Sequence, residues 1–241
     1  MLKNKKFLVT GGSKGLGFEL VKKLVLNKIH VSVISRSFPD KKLRKKIDFY
    51  KCDVLKKNEF KKLKKKIKGK NFDFIIHSIG GGLGVKNVFS NITLWNKSFF
   101  FNVGHSIELN NILIPNMLNN SGGVVIHVSS MASIDGGPDV IKYGGSIPYS
   151  CSKSFLNMYV KTMGKFFKNK NIKFFSILPG PIMLKHKMWY KLKKEKPDLI
   201  RKFKRDYLKN KNFLLPKTVG NKIYDLCLNS FKLKSKFLKI N

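Results

Sequence analysis

Tyr149 and Lys153 stand at i, i+4 in "PYSCSK", a spacing that stacks a phenol and an ammonium on one helix face. A free tyrosine titrates near pH ~10. A neighbouring cation favours phenolate and brings the group toward the operating pH, as general acid/base chemistry requires. Upstream, "VVIHVSS" delivers Ser129 and Ser130 to a strand end, where a hydroxyl can orient a substrate carbonyl. Which serine reaches the phenol depends on a strand register of one residue. Asn102 lies in "FFFNVGHSIELNN", an otherwise apolar helical pattern, where it either satisfies backbone groups or takes part in the chemistry. The Y-x-x-x-K spacing is common by itself, so the weight falls on the combination.

A second constellation opens the chain. "KKFLVTGGSKGLGFEL" places Gly11, Gly12, Gly15 and Gly17 between an apolar strand and a helical run. Free backbone N–H groups and a helix N-terminus in such a turn face a pyrophosphate, and a Cβ would obstruct its approach. The spacing is T-G-x-x-x-G-x-G at 10–17, not G-x-G-x-x-G. NAD-binding units place an acidic residue about twenty positions further on, against the ribose 2′-hydroxyl. Here the second strand ends in Ser35-Arg36. A guanidinium there, with Lys14 in the turn, suits a 2′-phosphate, so NADP(H) is expected over NAD(H).

These groups need a scaffold. Apolar runs at 5–10, 30–35, 47–53, 72–79, 122–130 and 172–180 alternate with helical patterns near 16–27, 56–68, 96–119, 149–168 and 217–230. Several strands are apolar on both faces, as strands covered by helices on both sides are. The alternation predicts a single α/β domain over 1–241, a Rossmann-type doubly wound parallel sheet with its crevice at the carboxyl strand ends. Two segments stand outside it: a Gly/Pro-rich inserted loop at 132–148 and a lysine-rich stretch at about 183–212, expected to be a substrate lid.

The chain carries 50 basic residues against 13 acidic, a net charge of +37. All but four of the cations (Arg36, Arg44, Arg201, Arg205) are lysine, whereas base readout and bidentate phosphate contacts favour arginine. The densest run, "EFKKLKKKIKGK", sets Phe60, Leu63 and Ile67 on one helix face, which makes it amphipathic with a solvated side. No specific nucleic-acid partner is expected; the charge favours anionic substrates or cofactors. No apolar run is long enough to span a bilayer, and the basic start gives way to glycines after four apolar residues. The three cysteines and five histidines show no metal-ligand spacing. The expected location is cytoplasmic, with no metal.

Together these residues resemble the classical short-chain dehydrogenase/reductase family over nearly the whole chain. Thr10 to Gly17 match its TGxxxGxG turn. Asn102, Ser130, Tyr149 and Lys153 match its catalytic tetrad in order, Asp53 its acidic residue beside the adenine, and "LPGPI" (178–182) its Pro-Gly stretch near the nicotinamide. The resemblance implies an NADP(H)-dependent oxidoreductase that interconverts a carbonyl and an alcohol. Tyr149 would be the general acid and Ser130 would hold the carbonyl oxygen. Lys153 would bind the ribose and lower the tyrosine pKa, and Asn102 would hold a relay water. It also implies cofactor contacts from Gly11, Ser13, Lys14, Gly15, Leu16, Gly17, Ser35, Arg36, Asp53, Gly80, Tyr149, Lys153, Pro179, Gly180 and Ile182.

Departures accompany the match. The family's N-N-A-G is His77-Ser78-Ile79-Gly80, its threonine after the Pro-Gly stretch is Leu184, and the inserted loop separates Ser130 from Tyr149. That insertion, with "IKYGGSIPYSCSK", is similar to family members of surface-glycan pathways and implies a sugar-derived substrate. Met188, Trp189 and Tyr190 amid lysines suit a flat or apolar substrate bearing anionic groups. The alternatives are a 3-oxoacyl-[acyl-carrier-protein] reductase-like enzyme acting on a carrier-bound substrate, and a non-catalytic NADP(H)-binding protein. The resemblance further implies a homodimer or homotetramer built on 96–119 and 149–168.

Overall fold

Residues Phe7, Val9, Phe74, Ile76, Val124 and Ile126 are fully buried on one face of the sheet, and Leu8, Ile75, Val125 and Phe174 on the other. The two-residue period of a strand sends neighbours to opposite faces, so both faces must be covered. The computed structural model describes residues 2–85, 87–136, 143, 145–185, 187–234 and 237–240. Its sheet has seven strands: β1 (Phe7–Thr10), β2 (Val31–Ser35), β3 (Asp48–Lys51), β4 (Phe74–His77), β5 (Gly123–Val128), β6 (Ile172–Pro179) and β7 (Phe237–Ile240). All pairings are parallel, in the order β3-β2-β1-β4-β5-β6-β7. This is the expected doubly wound Rossmann-type sheet, in a single domain that covers the chain.

One face packs on α1 (Gly15–Leu26) and α9 (Pro216–Asn229). The other packs on α2 (Lys57–Ile67), α4 (His105–Asn119) and α6 (Ile147–Phe166). The lysine-rich α2 buries Phe60, Leu63 and Ile67, its apolar stripe. The direction of winding reverses between β1 and β4, where a doubly wound sheet opens its ligand crevice.

Two features depart from the expected elements, one in a helix and one at the sheet edge. The helix expected over 96–119 is two helices, α3 (Ile92–Phe99) and α4, joined by a π turn at Phe100–Gly104. Such turns widen the hydrogen-bond ladder and recur at functional sites. The segment 183–212 follows its partly helical pattern, interrupted at Pro197: it forms α7 (Met188–Glu195) and α8 (Pro197–Asp206), since the proline ring cannot continue the first helix. The last strand, β7, was not expected. Its exposed residues alternate with partly and fully buried ones, and it adds to the sheet edge beside β6. A short helix, α5 (Ala132–Asp135), follows β5; of the inserted loop, residues 137–142 and 144 lie outside the described residues.

Candidate active site

The glycine turn is shaped by close approaches. Gly11 and Gly15 have φ of +74° and +60°, the left-handed region that favours glycine. A Cβ on Gly17 would lie 2.5 Å from Ser78 Oγ and 2.6 Å from the Gly11 carbonyl oxygen. Ser78 accounts for this crowding. Its hydroxyl donates to Thr10 O at 2.5 Å, and its amide donates to Thr10 Oγ1 at 3.2 Å. It thereby ties the ends of β1 and β4 together, a compact strut where the family carries asparagine. Helix α1 starts behind Lys14 with no side-chain cap, leaving its first-turn amides for a ligand. Leu184, where the family carries threonine, lies over Gly15, 3.0 Å from where a Cβ would sit.

Around the turn, Lys14 and Arg36 are exposed, and Ser35 Oγ donates to Ser37 O at 2.8 Å. Asp53 is partly buried and caps its own turn, accepting from Leu55 N at 3.1 Å. Ser13 and Leu16 are partly exposed in the turn, with Leu16 against the core below. On the far side, Pro179 ends β6, Gly180 N donates to Ile240 O at 2.9 Å, and Ile182 bridges to Leu214. The unexpected β7 therefore fixes the Pro-Gly stretch.

The second constellation assembles at the ends of β4 and β5. Ser129 N and Met131 N donate to Ile177 O and Pro179 O, holding the chain beyond β5 against β6. Ser129 is buried with its hydroxyl on Lys153 O at 3.2 Å. Ser130 turns the other way: its Oγ accepts from Ala132 N at 3.2 Å, and its hydroxyl is the polar group that works against burial at the Tyr149 phenol. Packing thus commits the Ser129 hydroxyl to the Lys153 carbonyl and leaves Ser130 on the side of the phenol.

Lys153 is buried and donates from Nζ to Val128 O at 2.7 Å, with its ammonium 5.8 Å from the centre of the Tyr149 ring. Burial pulls its pKa down to about 7. Burial also raises the pKa of Tyr149, only partly offset by the Ser130 hydroxyl. This differs from the expected lowering of the tyrosine by the lysine: desolvation dominates both groups, and the ammonium is aimed at a strand-end carbonyl.

Asn102 sits in the π turn, fully engaged. Its Oδ1 accepts from Gly81 N at 2.8 Å, and its Nδ2 donates to Ser98 O at 2.8 Å and Gly81 O at 3.1 Å. A Cβ on Gly80 would lie 2.8 Å from Asn102 Oδ1 and 2.9 Å from Lys153 Nζ. One glycine therefore brings the asparagine and the lysine together. Sequence reasoning missed Ser78, the Val128 carbonyl and the π turn; the serine at a strand end just ahead of Gly80, Gly81 and Gly82 was the available signal.

The lid expectation meets a different arrangement for Trp189. Its ring packs on Phe203 at 4.3 Å and Phe213 at 5.3 Å. Tyr143 of the inserted loop also meets Phe203, at 4.9 Å, so the two extra segments touch. Beside them a cavity of about 240 Å³ is lined by Met131, Gly180, Pro181, Tyr207, Lys209 and Lys211, among others. Among the described residues there is no cluster of metal-ligating side chains and no helix long and apolar enough to cross a membrane.

Residues 5–196 match the family model described as short chain dehydrogenase. An uncharacterized oxidoreductase of Saccharomyces cerevisiae is 31% identical over 201 residues, covering 75% of this chain and 60% of that protein. A 3-ketodihydrosphingosine reductase of Dictyostelium discoideum is 27% identical over 206 residues, covering 74% and 60%. The chain thus spans about 60% of the length of these two relatives. Among solved structures, L-sorbose reductase from Gluconobacter frateurii, complexed with NADPH and L-sorbose, superposes with a TM-score of 0.83 at 19% identity. That likeness covers 100% of this chain and 96% of the other, and is one of fold.

Proposed function

Because the chain belongs to the short-chain dehydrogenase family, we propose that it is an NADP(H)-dependent oxidoreductase interconverting a carbonyl and an alcohol, with Tyr149 as general acid/base. The observation that carries this reading is the contiguous Ser130–Tyr149–Lys153 cluster, joined through Gly80 to Asn102, beside an uncapped glycine turn at the same strand ends. Three glycines where a Cβ would be strained or obstructed fit a dinucleotide (Gly11, Gly15, Gly17).

The nicotinamide group supplies or accepts the hydride when bound. Gly11, Ser13, Lys14, Gly15, Leu16 and Gly17 would hold its pyrophosphate, with Asp53 at the adenine and Ser35, Arg36 and Lys14 at the 2′-phosphate. Gly80, Lys153, Pro179, Gly180 and Ile182 would line its ribose and ring. In the reducing direction Ser130 donates a hydrogen bond to the carbonyl oxygen and Tyr149 gives up its proton. The raised tyrosine pKa keeps the phenol protonated for that step. Lys153, with a pKa of about 7, can return a proton to the phenolate at neutral pH. Asn102 positions Gly80 and Gly81, since its amide is committed to the backbone.

The substrate we propose is a small sugar-derived carbonyl compound bearing an anionic group. A cavity of about 240 Å³ flanked by Lys209 and Lys211 suits that size and charge better than a long apolar chain. Residues 132–148 and 183–212 would cover it. A homodimer would use the outer face of α3 and α6, where Phe99, Phe155, Met158 and Phe166 are exposed and apolar.

The test is NADPH consumption by the purified chain across neutral ketoses, phosphorylated ketoses and 3-oxoacyl thioesters. Turnover of the phosphorylated ketoses supports the reading. Turnover of the thioesters alone replaces the substrate assignment, and tight NADPH binding with no turnover on any compound leaves a binding protein.

A further inference from the structure

Three of the five histidines, His77, His105 and His127, are buried together beneath the reacting centre. His77 and His127 are register partners on β4 and β5, with ring centres 4.6 Å apart and stacked. His105 begins α4 and meets His77 edge-on at 6.3 Å. Each ring has one satisfied nitrogen. His77 Nε2 and His127 Nε2 both meet the side-chain amide of Asn110, at 2.9 and 3.3 Å, and that amide also donates to Tyr159 OH. His105 Nδ1 meets Phe100 O at 3.2 Å. The other three nitrogens, His77 Nδ1, His105 Nε2 and His127 Nδ1, are buried and meet no hydrogen-bond partner among the described residues.

The protons on these rings can be assigned from their partners. Phe100 O only accepts, so His105 Nδ1 carries hydrogen and its Nε2 is an acceptor. The Asn110 oxygen accepts from His77 Nε2–H, and its nitrogen donates to bare His127 Nε2. His77 Nδ1 is therefore an acceptor and His127 Nδ1–H a donor. Flipping the amide exchanges the last two roles and leaves the set unchanged: two acceptors and one donor among the three unpartnered nitrogens. A water molecule has two hydrogens to give and a lone pair to receive one. Buried waters make about three hydrogen bonds, and leaving a buried polar group unpaired is destabilising.

We infer that one internal water molecule binds His77, His105 and His127, and that this four-way junction positions the reacting centre. Each histidine lies beside a working part. His127 precedes Val128, whose carbonyl takes Lys153. His77 is three residues before Gly80, which abuts Lys153 and Asn102. His105 takes a carbonyl of the π turn that presents Asn102. A metal ion does not suit the junction, because one of its three nitrogens always carries hydrogen. The water site stands on hydrogen-bond chemistry alone; its positioning role rests on the oxidoreductase reading.

A high-resolution crystal structure of the full chain tests the site without any turnover. One ordered water within about 2.7–3.2 Å of all three nitrogens is expected. An empty cavity, or a metal ion there, overturns the inference. Nitrogen-15 NMR of the imidazoles adds a second reading: opposite tautomers for His77 and His127 are expected, and identical tautomers overturn the junction. For the positioning role, His127→Leu is expected to lower kcat at least tenfold with NADPH Kd unchanged. His127→Asn, which keeps a polar group near the Nδ1 position, is expected to restore much of it. Equal kcat in wild type and the leucine variant, or equal loss in both variants, overturns that role. If neither variant folds, the crystal and NMR readings on the wild type still decide the water site.

Discussion

Lys153 Nζ lies 2.7 Å from the carbonyl oxygen of Val128 and 5.8 Å from the ring centre of Tyr149, so the buried ammonium is anchored to a strand end beside the phenol. Its pKa of about 7 lies well below that of an unfolded lysine. Between pH about 7 and 10.5 the unfolded chain binds more protons, so this group's contribution to stability rises with pH through that window. Below pH about 7 the folded chain carries the full cost of a buried charge. Lys153→Met removes the titrating group. Its Tm relative to wild type is therefore expected to be higher at pH 6 than at pH 9, by about 2–4 °C for each kcal/mol of linkage. Turnover should fall at both pH values. Equal Tm differences at the two pH values would show that the lysine titrates normally.

Ser130 meets the phenol while Ser129 is bonded to the Lys153 carbonyl. Tyr149→Phe is expected to keep NADPH affinity and lose about 10²–10⁴-fold in kcat, the range for a removed general acid. Ser130→Ala should lose kcat similarly, since it deletes an oxyanion-type contact. Ser129→Ala should act mainly on stability. Steady-state kinetics beside an NADPH titration separates the three, and a larger kcat loss for Ser129→Ala would reverse the assignment of the two serines.

Gly80 is the contact point of Asn102 and Lys153, with a Cβ landing within 3 Å of a polar atom of each. Both side chains are buried and hydrogen-bonded, so neither can withdraw without losing a partner. Gly80→Ala is expected to cost about 1–3 kcal/mol of stability, as overpacking does, and to lower kcat more than it weakens NADPH binding. Thermal melts and kinetics check both, and a wild-type kcat would mean that the loop moves aside freely.

The sequence carried the strand–helix alternation, the glycine turn and the placing of Tyr149 and Lys153 on one helix, because each rests on a local signal. What it lacked depends on register and distant pairing. His77 and His127 are fifty positions apart and become stacked partners only once β4 and β5 align. Strand β7 is four residues with a central lysine, and its place at the edge follows from β6 offering a free ladder. The π turn inserts no unusual residue into an apolar helical pattern, so nothing local announces it. Trp189, with Met188 and Tyr190, suits a flat or apolar substrate on sequence alone, whereas Phe203 and Phe213 arrive from farther along the chain to pack on its ring.

Arg36 follows the last residue of β2 and, like Lys14, is exposed beside the glycine turn. A cation there rewards a 2′-phosphate and gives nothing to a 2′-hydroxyl. The wild type should bind NADPH at least tenfold tighter than NADH, or about 1.4 kcal/mol. Arg36→Asp should weaken NADPH by a similar factor and leave NADH unchanged or improved, since a carboxylate can accept from the hydroxyl. Binding titrations of both dinucleotides test this, and equal wild-type affinities would remove the assigned phosphate contact.

Acid should unfold the chain earlier than its carboxylates alone require. Burial depresses His77 to about 4 and His105 to about 3, and holds His127 well below its ordinary value. The facing groups offer no relief: Asn110 and Tyr159 are neutral, and Lys153 is a cation that disfavours charge on His105 and His127. The unfolded chain binds protons on all three rings near pH 6.5, whereas the folded chain resists until much lower. Stability is therefore present above pH about 6.5 and lost as pH falls toward 4. Urea midpoints measured at pH 7, 6, 5 and 4 should fall steadily. In His77→Gln, where one ring no longer titrates, the slope should be shallower even if the midpoint at pH 7 is lower. A slope as steep as wild type would mean that His77 is already protonated in the folded chain, or that water reaches it freely.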